Sequence, residues 1–197
     1  MQIKICGIKN LSEAKDVTNL EIDYIGVIFA ESIRRVDLKM ANEIAKIAHK
    51  NGKKVVGVFA KFSDDEILEY VEHLDAAQIY DKISANLYQN LKSLNKEVWQ
   101  VFSVSDALPN LGILNYDMAL FDCKGKNLGG NGISFDWEIL KSLKPFSFGL
   151  AGGLGVHNID EAIKYSPKIL DINSKVEDEN GIKNPKLISK ILKILQR

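Results

Sequence analysis

The sequence predicts an α/β protein, a single (β/α)8 barrel near the lower size limit of that fold. Apolar, β-branched runs recur along the 197 residues, and their starts lie 20 to 30 residues apart. Segments with helical spacing separate them. The runs are short and continuous, as expected for parallel strands that are buried on both faces. Eight strand–helix units in series favour a closed barrel, and a doubly wound open sheet is the alternative, because periodicity does not show closure.

The predicted strands share Val/Ile/Leu/Phe-rich runs. They span residues 3–6, 24–29, 54–59, 76–79, 98–103, 118–122, 146–151 and 169–173. No Pro/Gly/Ser-rich linker divides the chain, so we expect one domain over residues 1–197.

Helical patterns fill the intervals. The clearest spans residues 38–48, residues 63–66 form a capping-box pattern, and an Asn-Pro pair at 184–185 begins the last helix. Residues 105–115 contain a proline and a glycine, so any helix there is short or irregular.

The composition excludes several classes of protein. Lys+Arg 26 balances Asp+Glu 26, which gives no reason to expect nucleic acid or an anionic membrane as a partner. Two cysteines are too few for a disulfide scaffold. The start lacks a signal-peptide pattern, and no apolar run reaches the ~18 residues of a membrane span. We therefore expect a cytoplasmic protein with reduced thiols.

Cys6 ends the first predicted strand, and ligands of such barrels lie at the carboxyl ends of the strands. A free cysteine is commonly a small buried hydrophobe, whereas a reactive thiol needs nearby cations or N–H groups that lower its pKa. Lys4 has the same side-chain parity as Cys6 and could face it, unless the register is shifted and Lys4 lies outside.

Two further strand ends carry candidate groups. Asp122 ends an apolar strand without other charge, where it could have a raised pKa and act as a general acid, or simply cap the next loop. Arg34 and Arg35 follow the second strand. Such arginines are normally solvated, but one aimed over the barrel mouth could hold a carboxylate through two hydrogen bonds.

The turn at residues 150–154 is a candidate phosphate site. Gly152 and Gly153 let backbone N–H groups approach an anion, and a helix is predicted from about His157. Barrel phosphate sites often combine the loops after strands 7 and 8, and Ser174 lies in the latter. A plain tight turn is the alternative. The histidines form no ligand cluster, so no metal is assigned.

Several stretches occur in the order and spacing of one known family. They are Lys4-Ile5-Cys6-Gly7-Ile8, Gly26-Val27-Ile28-Phe29 with Ser32-Ile33-Arg34, Val56-Gly57-Val58-Phe59, Phe121-Asp122, Gly129-Gly130-Asn131-Gly132 with Phe135-Asp136-Trp137, and Leu150-Ala151-Gly152-Gly153-Leu154. Over essentially its whole length the chain resembles the phosphoribosylanthranilate isomerases of tryptophan biosynthesis.

The resemblance implies an aldose–ketose isomerase without a cofactor. Its reaction is the Amadori rearrangement of N-(5-phosphoribosyl)anthranilate to 1-(2-carboxyphenylamino)-1-deoxyribulose 5-phosphate. By resemblance Cys6 is the general base, Asp122 is the general acid, and Arg34 binds the anthranilate carboxylate.

The resemblance also assigns the remaining contacts. Gly152, Gly153 and Ser174 would hold the phosphate, and residues 129–132 would form a mobile loop over the site. Lys175 stands where the family often has glycine, so it could help neutralise phosphate or crowd its position. The family's partner is this small phosphosugar, and the chain would act as a monomer or homodimer.

Two departures concern neighbouring loops. Tyr80-Asp81 stands where the family often has His-Gly, and Cys123 stands where Thr or Ser commonly follows the aspartate.

Alternative functions are the related aminoketose-forming isomerase of histidine biosynthesis, which uses two aspartates and binds two phosphates, and a non-catalytic module that binds a phosphoribosyl ligand. The cysteine at position 6 and the single phosphate cradle argue against the first, and the presence of both Cys6 and Asp122 argues against the second.

Overall fold

A computed structural model describes residues 1–112, 115–123, 135–143 and 147–196. The eight strands form a closed, parallel barrel in sequence order, because β1 pairs with both β2 and β8. The strands are β1 (Gln2–Cys6), β2 (Tyr24–Ile28), β3 (Lys54–Phe59), β4 (Ala76–Ile79), β5 (Glu97–Val104), β6 (Met118–Cys123), β7 (Phe148–Leu150) and β8 (Ile169–Ile172). The predicted barrel is confirmed, and the open sheet is wrong.

Six α-helices cover the described part of the barrel. They are α1 (Leu11–Thr18), α2 (Leu38–Lys50), α3 (Asp64–Tyr70), α4 (Ala85–Ser93), α5 (Ile159–Ala162) and α6 (Pro185–Ile194). Three 3₁₀-helices complete the connections, at Trp137–Leu143, Ile163–Tyr165 and Ser174–Val176. Between β5 and β6 the described residues contain no helix, which agrees with the proline and glycine of that segment.

Local sequence sets where several helices begin. The Ser63 side chain accepts a hydrogen bond from the backbone N–H of Glu66, and the Glu66 side chain accepts one from Ser63, which completes the predicted capping box. α5 begins at Ile159, two residues later than predicted. The reason is Asn158, whose side chain accepts from the Gly155 N–H and donates to the Gly153 carbonyl, so that this stretch stays part of the loop.

The barrel interior is apolar at the bottom and polar at the top. A cluster of buried side chains closes the amino-terminal end: Tyr24, Val56, Ala76, Trp99, Met118 and Ile169. Above it lie the buried polar side chains of Lys4, Gln78 and Asp171, and above these the strands open on a cavity. In the described part of the chain, no helix combines the length and hydropathy of a membrane span.

Candidate active site

One cavity at the carboxyl ends of the strands gathers the predicted site residues. Its lining includes Cys6, Arg34, Asp122, Gly152, Gly153 and Ser174. Lys175 is exposed and is not part of this lining. The loop predicted at 129–132 lies outside the described residues.

Cys6 lies at the edge of the cavity with 4% of its surface exposed. Its register partner on β2 is Gly26. A Cβ atom at Gly26 would lie 2.7 Å from the Cys6 sulfur and 3.0 Å from Cε of Lys4. Any side chain at Gly26 would therefore displace the thiol and the lysine, so the glycine makes room for both.

Lys4 points into the barrel, as its parity with Cys6 predicts. It is fully buried, and its Nζ donates to Oδ2 of Asp171 at 2.7 Å and to Oε1 of Gln78 at 2.8 Å. Lys4 and Asp171 are direct neighbours in the β1–β8 register. Burial opposes the charge, but the attraction of Asp171 and then of Cys6 outweighs it, so the pKa of Lys4 is raised and the ammonium persists.

Replacing Lys4 by methionine is expected to destabilise the protein by about 3–5 kcal/mol, because it leaves the Asp171 carboxylate buried without its cation. Urea unfolding measures the loss. The double variant Lys4→Met/Asp171→Leu removes both charges and should recover most of the stability. A Lys4→Met variant as stable as wild type would contradict this account of the pair.

The pKa of Cys6 is raised above its ordinary value, whereas a reactive thiol requires a lowered pKa. Burial raises it, the Lys4 ammonium lowers it, and Asp171 raises it again. The cation is therefore present, but burial and the carboxylate outweigh it. The thiol is therefore protonated near neutral pH, and its ionisation requires further positive charge beside it.

Asp122 lies at the carboxyl end of β6 and is 6% exposed. Its Oδ2 accepts a hydrogen bond from the Tyr80 hydroxyl at 2.9 Å, and its Oδ1 accepts one from the Cys123 N–H at 2.9 Å. Burial is the largest cause that raises the pKa of Asp122 to about 6, against the opposing Tyr80 bond. The raised pKa expected from the sequence is confirmed.

Of the two arginines after β2, Arg34 is buried and lines the cavity, whereas Arg35 is exposed. Arg34 and Glu177 form a bidentate ion pair. The Arg34 Nε donates to Oε1 of Glu177 at 2.6 Å, and its Nη2 donates to Oε2 at 2.7 Å. Lys183 also donates to Oε1 of Glu177, at 2.6 Å. The two bonds from Arg34 to Glu177 use two of the five guanidinium N–H donors, and the other three have no hydrogen-bond partner among the described residues, so a ligand carboxylate can accept from them.

The turn after β7 has the backbone that its glycines predict. Gly152 has φ +88° and Gly153 has φ +65°. A Cβ atom at Gly152 would lie 2.8 Å from the backbone nitrogen of Cys123. Among the described residues, no hydrogen bond uses the N–H groups of these two glycines. Lys175 is not among the described residues with positive φ, so its backbone does not need glycine.

Sequence reasoning missed two charged partners of the site. Asp171 pairs with Lys4, lines the cavity, and has an Oδ1 without a hydrogen-bond partner among the described residues. Its signal was a lone charge inside the apolar run of β8, the pattern that singled out Asp122. Glu177 carried no comparable signal, because its contact with Arg34 spans 143 positions of sequence.

Within residues 1–112, 115–123, 135–143 and 147–196, no cluster of three or more His, Cys, Asp or Glu side chains has the geometry of a metal site.

Comparison with known proteins identifies the family. Residues 3–194 match the family model of N-(5'-phosphoribosyl)anthranilate (PRA) isomerase. The N-(5'-phosphoribosyl)anthranilate isomerase of Campylobacter jejuni is 46% identical over 199 residues, with 100% of both chains covered. The tryptophan biosynthesis protein TrpCF of Helicobacter pylori is 39% identical over 98% of this chain and 43% of that protein. The crystal structure of phosphoribosyl anthranilate isomerase from Thermus thermophilus matches with TM-score 0.87 and 26% identity, covering 100% of this chain and 98% of that one. The chain therefore belongs to the N-(5'-phosphoribosyl)anthranilate isomerase family.

Proposed function

We propose that this chain isomerises N-(5'-phosphoribosyl)anthranilate to 1-(2-carboxyphenylamino)-1-deoxyribulose 5-phosphate, with Asp122 as general acid and Cys6 as general base. Membership of the family supports the reaction. The observation that carries the residue roles is that a carboxyl group of raised pKa and a thiol line one cavity. That cavity also has an arginine and a glycine turn for the two anionic ends of the substrate.

Asp122 acts first in the proposed sequence. Its carboxyl group donates a proton to the furanose ring oxygen as the C1–O bond breaks, and the nitrogen lone pair forms the C1=N bond. The products of this step are an open-chain protonated Schiff base and the Asp122 carboxylate. A pKa of about 6 keeps a useful fraction of the acid protonated near neutral pH.

Cys6 acts second. The protonated Schiff base is a cation beside the buried thiol, so it favours ionisation of Cys6, whose thiol proton passes to solvent. The thiolate removes the C2 proton, whose electron pair forms the C1=C2 bond while the C1=N pair returns to nitrogen. The enolamine then takes a proton from solvent at C1 and gives the C2 hydroxyl proton to solvent, which forms the ketone. The Asp122 carboxylate regains its proton from solvent.

Two groups of residues are proposed to hold the substrate ends. Gly152, Gly153 and Ser174 all line the cavity, and backbone N–H groups and a hydroxyl suit a phosphate. Arg34 suits the anthranilate carboxylate, because Glu177 fixes its plane while leaving donors available. Lys175 lies outside the lining, so we assign it no direct phosphate contact.

Replacing Arg34 by methionine is expected to raise KM about 10- to 100-fold with a smaller change in kcat, because a charge-assisted contact to the carboxylate is lost. Glu177 keeps Lys183 as a partner in this variant. Steady-state kinetics measure the change, and Arg35→Met is the control because Arg35 is exposed. Equal KM values for Arg34→Met and Arg35→Met would contradict the assignment.

The reaction itself is tested with purified protein. Loss of N-(5'-phosphoribosyl)anthranilate and gain of the aminoketose are followed together, since free anthranilate would report hydrolysis instead. We expect stoichiometric aminoketose. Tight binding of the product without turnover would favour a non-catalytic phosphoribosyl-binding module.

We further propose that the protein acts in the cytoplasm, where thiols stay reduced, since the Cys6 chemistry requires a free thiol. We propose that it acts there as a monomer or as a homodimer.

A further inference from the structure

Tyr80 lies directly after β4, which ends at Ile79. Its hydroxyl is 2.9 Å from Oδ2 of Asp122, and its ring lines the cavity. The partly buried ring packs between two clusters, one containing Cys6 and Val58 and the other containing Val101 and Leu120. Packing on both sides fixes the direction in which the hydroxyl points.

The hydroxyl is a permanent donor. Burial, followed by the negative charge of Asp122, holds the pKa of Tyr80 well above its ordinary value, so the phenol keeps its proton throughout the physiological range. A histidine at this position would titrate near neutral pH. Tyrosine therefore remains a hydrogen-bond donor to Asp122 throughout the pH range in which Asp122 titrates.

We propose that Tyr80 is a positioning residue that acts through Asp122, holding the carboxyl group in place and setting the upper pH limit at which it carries its proton. This inference rests on the proposed role of Asp122 as the general acid. Tyr80 itself transfers no proton in the reaction.

The charged and titratable groups that face Asp122 come from three other strands or their ends. Burial and Asp171 of β8 favour the protonated carboxyl group. The Tyr80 hydroxyl after β4, the backbone N–H of Cys123 and the Lys4 ammonium of β1 favour the carboxylate, with Tyr80 the largest of these. Cys6 and Asp171 also face the Tyr80 hydroxyl.

The direction of the change in the pKa of Asp122 follows from the fact that the Tyr80 hydroxyl is the donor in this hydrogen bond. A hydrogen bond that favours the carboxylate lowers the pKa of Asp122, so loss of the bond raises this pKa further. Because the acid works only when protonated, activity then persists to higher pH. A charge-assisted bond of this kind corresponds to a shift of about one pH unit.

The test is Tyr80→Phe, which removes the hydroxyl and keeps the ring. We expect the midpoint of the alkaline fall in kcat/KM to rise by about one pH unit, together with a several-fold loss in maximal kcat from poorer positioning. The matched control is Tyr88→Phe, which removes a tyrosine–aspartate bond of 3.0 Å to Asp117, away from the cavity, and should leave the midpoint unchanged. An unchanged midpoint together with an unchanged pKa of Asp122 would overturn the inference.

A direct titration separates this inference from the proposed function. NMR of the Asp122 carboxyl carbon measures the pKa of this group in wild type and in Tyr80→Phe, both without substrate. If the pKa of Asp122 rises in Tyr80→Phe but the midpoint of the alkaline fall in kcat/KM does not, the coupling between Tyr80 and Asp122 stands and the acid role of Asp122 is wrong. If the Asp122 titration does not move, the inference itself is wrong.

A double variant tests whether the Tyr80 hydroxyl acts through Asp122. In the Asp122→Asn background, further loss of the Tyr80 hydroxyl should change kcat by less than about twofold, because its target is gone. A further loss equal to that in wild type would show that Tyr80 acts independently of Asp122.

Discussion

Replacing Cys6 by serine is expected to lower kcat about 10²- to 10⁴-fold, the range of a lost general base. A hydroxyl is a far weaker acid than a thiol, so the cation of the intermediate no longer suffices to ionise it. The residue change is nearly isosteric, and Gly26 leaves the same space for it. Single-turnover kinetics of N-(5'-phosphoribosyl)anthranilate measure the effect, and product affinity should change less than about threefold.

The matched control is Cys123→Ser, since the side chain of the second cysteine does not line the cavity. We expect its kcat within about threefold of wild type. A Cys6→Ser variant with full activity would remove Cys6 from the mechanism, whatever its position in the barrel.

Replacing Asp122 by asparagine is also expected to lower kcat about 10²- to 10⁴-fold, because the amide has no acidic proton for the ring oxygen. In addition, the alkaline fall that reflects the Asp122 pKa of about 6 should disappear from the residual rate. A pH–rate profile measured with wild type and variant checks both effects.

Asp117→Asn is the control for this second variant. Asp117 precedes the same strand at the other end of the barrel, where it accepts hydrogen bonds from Tyr88 and Lys92. Its replacement is expected to lower stability but not kcat. If Asp122→Asn kept both the wild-type rate and the alkaline fall, another group would be the acid.

The barrel could be predicted because parallel strands buried on both faces leave an unmistakable apolar pattern, and strand ends then select Cys6 and Asp122 by position. The late start of α5 could not be predicted, because it depends on side-chain hydrogen bonds of Asn158 within the loop. The helix propensities of the individual residues do not predict those hydrogen bonds.

The electrostatic state of the site was predictable in part. A raised pKa for Asp122 could be predicted, because burial at the end of an apolar strand disfavours the charged carboxylate, and the structure has this raised pKa. The pKa of Cys6 depends on the balance between Lys4 and Asp171, whose side chains meet across 167 positions of sequence. That balance needs the closed register of β1 and β8, which periodicity does not provide. The residue pattern alone left Arg34 and Arg35 open, and the resemblance to the family selected Arg34, which lines the cavity.

The most direct test of the central claim is the single-turnover yield of 1-(2-carboxyphenylamino)-1-deoxyribulose 5-phosphate from wild type and from Cys6→Ser/Asp122→Asn. We predict that wild type converts the bound substrate completely. The double variant should bind product with similar affinity but form no more aminoketose than the buffer control. Aminoketose formation at the wild-type rate by the double variant would contradict the assignment of Cys6 and Asp122 as base and acid.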